Sequence, residues 1–139
     1  MRKTLVDALK LRFQSYNDLV NATNDIALGK KLDIPKHKSL GEHLWCVVGA
    51  RESYARALTA GKWEGFNCSL SEFSQTTFLE KIRSSADDAI GAIEGVNEWT
   101  KDRDELLLAL SEHEVMHEGQ IIRHFYGLES EMPDSIKWA

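Results

Sequence analysis

Only two prolines, Pro35 and Pro133, interrupt the 139-residue chain. Proline lacks a backbone N–H and breaks helices, so its rarity leaves room for long ones. Between the two prolines, apolar residues recur at helical spacing, with few alternating runs, which predicts an all-α fold. A first helix is expected over residues 2 to 23, with Leu5, Leu9, Phe13, Tyr16 and Val20 on one face and Asn21, Asn24 and Asp25 closing it. The stretch DIALGKKLDIPKH then reads as a loop. A second helix opens on Ser39 and Glu42, the S-x-x-E pattern in which each side chain satisfies a free N–H of the first turn. Its face is Leu40, His43, Leu44, Val47, Tyr54 and Leu58, and Gly61 ends it.

The stretch GKWEGFNCSLSEFSQ is aperiodic at first and reads as a long connection, with room for a short helical turn. A third helix is expected over 76 to 96, opened by Thr77 and Glu80, with Leu79, Ile82, Ala86, Ile90 and Ile93 inward. A fourth opens at Asp102 with Glu105 and runs to Tyr126, with Gly127 as its cap. Its face is Leu106, Leu110, His113, His117, Gln120 or Ile121, and His124. The tail is expected to pack through Ile136 or Trp138. Four such stripes bury one another in a four-helix bundle, and two connections are long enough to cross it. The expectation is one domain over residues 1–139, an all-α four-helix bundle with long crossover connections.

Composition narrows the function. Apolar residues make up 42% and charged residues 28%, as in a soluble globular chain. The net charge of −5 argues against a general nucleic-acid binder, which needs a basic face. Asp7, Lys10, Arg12 and Gln14 break the apolar run near the N-terminus, and no stretch reaches the length of a membrane span. Hence the expectation of a cytoplasmic protein with no nucleic-acid or membrane partner. Cys46 and Cys68 are too few for a secreted disulfide scaffold.

The chemistry lies in SEHEVMHEGQ (111–120), where His113 and His117 stand four apart and share the apolar face of the last helix. His43 lies on the apolar face of the second helix. Three imidazoles aimed at one interior each need a hydrogen-bond partner or a common metal ion. Read as H-E-x-x-H, the pattern suggests a zinc protease. The long form of that motif needs glycine at 120 and histidine at 123, where the chain has Gln120 and Arg123. The short form needs a glutamate on a later helix, and none is signalled after His117. A di-iron site needs a second E-x-x-H, and Glu114–His117 is the only one.

The segments GEHLWCVVGARESYARAL (41–58) and HEVMHEGQIIRHFYGL (113–128) together resemble the DinB-like (DinB/YfiT) superfamily. That pattern has one histidine early in the second helix and H-x-x-x-H-R-G-Q on the last, matched here by His43, His113, His117, Gly119 and Gln120. The resemblance implies a divalent metal, zinc or nickel, held by His43, His113 and His117 with water, and a homodimer. It also implies a metal-dependent thiol transferase or hydrolase acting on a small molecule, such as a low-molecular-weight thiol. The alternative is a non-catalytic metal-binding or stress-related interaction protein. Glu118 departs from the pattern, which often has arginine there, and is expected on the solvated surface. Glu114 and Gln120 are candidates for supporting the metal ligands, and Cys46, one turn from His43, could approach the metal. Arg51 is expected at the surface, Tyr54 in the core, and His37 and His124 as surface or packing residues.

An enzyme requires an open pocket beside the histidines. A sensor requires a closed four-ligand set, with Cys46 as a candidate fourth. A purely structural bundle requires protein hydrogen-bond partners for every imidazole.

Overall fold

The computed structural model describes residues 1–137 and 139. Among them are four long helices and a single helical turn, and no strand: α1 (Arg2–Asn21), α2 (Asp25–Leu28), α3 (Leu40–Ala60), α4 (Gln75–Glu94) and α5 (Lys101–Gly127). The all-α bundle expected from the sequence is present. The Ser39 hydroxyl accepts from the Glu42 N–H at 3.1 Å while the Glu42 carboxylate accepts from the Ser39 N–H at 2.6 Å, a complete capping box at the start of α3. Gly61 ends that helix at φ 78°, a conformation that glycine adopts without strain.

Four caps differ from expectation. Asn24 does not close α1; its side chain accepts from the Ala27 N–H at 2.9 Å and starts the extra turn α2. Ser74 and Thr100, rather than Thr77 and Asp102, cap α4 and α5. Each hydroxyl sits three residues before the N–H it accepts from, so the cap lies just outside the periodic pattern that marks the helix. Gly127 lies within the last turn of α5, and Leu128 is its cap.

Long-range contacts fix the topology. The connection after α3 contains no helical turn and runs back along that helix: Asn67 N–H donates to Ser53 Oγ, Trp45 Nε1 donates to the Leu70 carbonyl, and Phe73 lies against Gly41. This crossover returns the chain to the start of α3, so α4 runs parallel to α3. At its first residue, Gln75 Nε2 donates to the carbonyls of Val20, Asn21 and Thr23 at the end of α1. The start of α5 meets the start of α1 through Arg2–Asp104 and the end of α3 through Arg103, which donates to the Leu58 and Thr59 carbonyls. The order is therefore up (α1), down (α3), down (α4), up (α5). Glycine is required where the crossover touches α3. A Cβ on Gly49 would overlap the Phe66 ring and come within 2.8 Å of Cys68 Cβ, and one on Gly41 would come within 2.7 Å of Phe73.

The apolar core has two parts. One gathers Tyr16, Leu28, Leu40, Leu44, Phe78, Ile121 and Phe125 near the start of α3. The other gathers Leu9, Phe13, Leu58, Ala89, Leu107 and Leu110 toward the opposite end. Ile136 of the tail packs into the first; Trp138 lies outside the described residues. The inward stripe of α5 is rotated from the expected one, with Leu107, Glu114, Glu118 and Phe125 buried alongside Leu110, His117, Ile121 and His124. Two glutamates face inward because two arginines meet them there.

Candidate metal centre

The up-down-down-up order brings the first turn of α3 and the second half of α5 to the same end of the bundle. His43 comes from α3, His113, His117 and His124 come from α5, and His37 from the loop before α3. All five histidines of the chain thus form one continuous cluster. Ring centroids are 4.4 Å apart for His113–His117, 5.3 Å for His117–His43, 5.3 Å for His43–His124 and 4.7 Å for His124–His37.

Within the cluster, the expected trio is connected but not closed around one point. His43 Nδ1 lies 3.1 Å from His117 Nδ1. His113 instead places Nε2 3.6 Å from Cys46 Sγ. Among the described residues, two sets have ligand atoms lying within 4.8 Å of one another: Cys46, His113 and His117; and His37, His43 and His124. His43 and His124 are buried, and His37 and Cys46 are half-buried. His124, expected as a surface or packing residue, is fully buried and falls in a different set from His117. Its partner His37 comes from a loop with no periodic signal to place it.

Beside the histidines is a cleft of about 420 Å³, lined by Lys36, His37, Lys38, His43, Cys46, His113, Met116, His117 and Gln120. No carboxylate lines it. Larger grooves elsewhere carry no such cluster of ligand atoms. Gln120 lines the cleft.

The donor set suits a divalent transition metal. Among the described residues, His43 Nε2 and His113 Nδ1 are buried without a hydrogen-bond partner, and the ring nitrogens of His124 have only the Lys38 backbone near them, short of full hydrogen-bond geometry. Buried nitrogens of this kind cost free energy unless something binds them. Burial foremost drives His43 and His113 down to about 4 and His117 to about 3. Fixed positive charge adds to this, from Arg51 for His113 and from Lys38 for all three, and protonating one ring further disfavours protonating its neighbours, His124 and His37 for His43 and His113 and His43 for His117. At neutral pH these rings are therefore uncharged, the form that ligates metal.

No protein-family model and no curated protein matches the chain. A crystal structure of a DinB-like protein from Bacillus cereus ATCC 10987 superposes with a TM-score of 0.72 at 19% identity, covering 94% of this chain and 95% of that one. The chain has a DinB-like fold.

On this DinB-like fold the two inward glutamates of α5 are structural partners of arginines. Glu114 does not support the histidines through a hydrogen bond. Both its oxygens accept from Arg51, from Nε and from Nη2, each at 2.8 Å. Arg51 is not at the surface. It is fully buried, donates from Nη1 to the Ile82 carbonyl at 2.9 Å, and lies over the rings of Phe13 and Tyr16, between the two parts of the core. Glu118 is not solvated either. It is 1% exposed and accepts from Arg12 Nη1 at 2.9 Å. Burial raises its pKa, against the pull of Arg12. Tyr54 is half-buried, beside Trp63 and away from the histidines. The residue types were visible in the sequence. Their pairing depends on the register between α1, α3 and α5, which one helix's periodicity does not contain.

Proposed function

We propose that the protein binds a divalent transition metal, zinc or nickel, through His43, His113 and His117, and uses it on a small molecule held in the adjoining cleft. The observation that carries this reading is the cluster of buried, uncharged imidazoles with unpartnered nitrogens opening onto a cleft. When bound, such an ion stabilises a thiolate or lowers the pKa of a water. The reaction class that follows is thiol transfer to an electrophile, or hydrolysis. The chain's own groups favour an anionic or thiol-bearing substrate: Lys36 and Lys38 supply positive charge at the rim, and no carboxylate repels an anion from within. Gln120 can orient it by hydrogen bonding. Glu118, committed to Arg12, does not oppose it.

A second reading is favoured by one contact. Cys46 Sγ stands 3.6 Å from His113 Nε2 and could complete a closed set of three histidines and one thiolate. Closed four-ligand sets are structural rather than catalytic, and the protein would then act as a metal-binding or stress-related interaction protein.

The two readings separate in a turnover assay on untagged protein loaded with zinc or nickel. Loss of free thiol is followed with a low-molecular-weight thiol and an alkylating electrophile, and hydrolysis with activated esters and amides. The catalytic reading predicts metal-dependent turnover abolished in H113A. Metal binding without turnover in any class, and unchanged in C46S, would contradict both the enzyme and the closed set.

A further inference from the structure

We propose that His37, His43 and His124 form a second ligand set for a divalent transition metal, next to the one that uses His113 and His117. Their ligand atoms lie within 4.8 Å of one another, close enough to converge on one ion. The decisive member is His124. Its side chain is fully buried, and among the described residues the Lys38 backbone alone approaches its ring nitrogens, short of full hydrogen-bond geometry, although an imidazole offers both a donor and an acceptor. The rings of His37 and His43 stand 4.7 and 5.3 Å from it. His43 lies on the boundary between the sets: its Nδ1 faces His117 at 3.1 Å, and its Nε2 is buried and unpartnered. His37 has one ring nitrogen, Nδ1, 2.8 Å from the Lys38 carbonyl. That hydrogen bond fixes the tautomer and leaves Nε2 as the lone-pair nitrogen, as backbone carbonyls do for metal-bound histidines. Lys36 and Lys38 are the nearby cations; both are exposed, and their long stems allow the ammonium groups to stay in solvent.

This set depends on His37 and His124, which the proposed function does not use, and shares only His43 with it. The two can therefore fail separately. The test is calorimetric titration of the untagged full chain with zinc, for the wild type and for H37A, H124A and H117A. H37A alters a half-buried loop residue and leaves the helical core intact, so it carries the test if H124A does not fold. A neutral imidazole has one lone-pair nitrogen, so with both sets filled His43 bridges the two ions as an imidazolate and its ring proton passes to the buffer. The wild type is expected to take up about two ions per chain with that proton released, and H37A and H124A about one without it. H117A should retain an ion whose affinity falls further when H37A is added, by at least the roughly 10- to 100-fold that loss of a supporting partner costs. A single ion lost in H117A and indifferent to H37A and H124A would overturn the inference and leave the proposed function standing. A single ion lost in H37A and indifferent to H113A would support the second set and overturn the first. Failure to bind zinc at all would overturn both.

Discussion

The buried charges beside the cluster have consequences that the histidines alone do not. Arg51 and Glu114 are both fully buried and paired through two hydrogen bonds. Removing one partner leaves the other charge uncompensated, which costs about 3–5 kcal/mol. E114A is therefore expected to lose that much stability in urea unfolding, whereas R51M/E114L, which removes both charges, should recover most of it. The histidines give a pH dependence. Their folded pKa values, about 4 for His43 and His113 and about 3 for His117, lie below the ordinary 6.5. The unfolded chain binds more protons in that window, so their contribution is intact above about 6.5 and is lost progressively as pH falls toward 4 and below. Thermal melts of the metal-free protein should show this decline, and a less steep one in H113A. At this scale the sequence was half legible. That His43, His113 and His117 lie near one another was legible because each sits on an apolar stripe; that the ligand atoms of His113 and His117 group with Cys46, and those of His43 with His37 and His124, was not. Glu118 and Arg51 were expected in solvent because a charge on a stripe looks solvated until its partner on another helix is known, and Glu114, a candidate support for the ligands, is instead bonded to Arg51.

At the scale of the element, the site depends on how α3 begins and what lies along it. Ser39 closes the capping box one turn before His43. S39A removes the hydroxyl that accepts from the Glu42 N–H and should cost about 1 kcal/mol by chemical denaturation. Gly49 allows the crossover to lie on α3, with Phe66 over it. G49A inserts a methyl where the ring sits, and an overpacking penalty of about 1–3 kcal/mol is expected, measured in the same way. The capping box and the Gly61 stop were legible because their signals are local. The one-turn helix at Asp25–Leu28 was not, because a four-residue element carries no period. The rotated stripe of α5 was missed for a related reason: two of its inward positions are glutamates, which no hydrophobic pattern counts.

At the scale of the molecule, the parallel placement of α3 and α4, imposed by the crossover, leaves α3 and α5 antiparallel and adjacent. That arrangement brings the start of one to the end of the other and gathers every histidine of the chain there. Among the described residues, no helix is long and apolar enough to cross a membrane. The bundle itself was legible from proline scarcity and four stripes; the convergence of His37 and His124 was not, since it arises from the assembled end of the bundle. Proton release can distinguish the ligand sets. The imidazoles already stand neutral at pH 7, while burial raises the Cys46 thiol pKa above its usual 9.0. Uptake of the first ion by histidines alone should release few protons, and ligation by Cys46 should add about one to that step, read from titrations in buffers of different ionisation heat.

The most direct measurement is metal content by elemental analysis on untagged protein, beside an H117A variant whose fold is verified by circular dichroism. The account predicts that the native protein carries or takes up zinc or nickel at about one ion per chain or more, and that H117A loses at least one. Protein that is metal-free and refuses both ions, or an H117A variant that binds them as the native protein does, would contradict it.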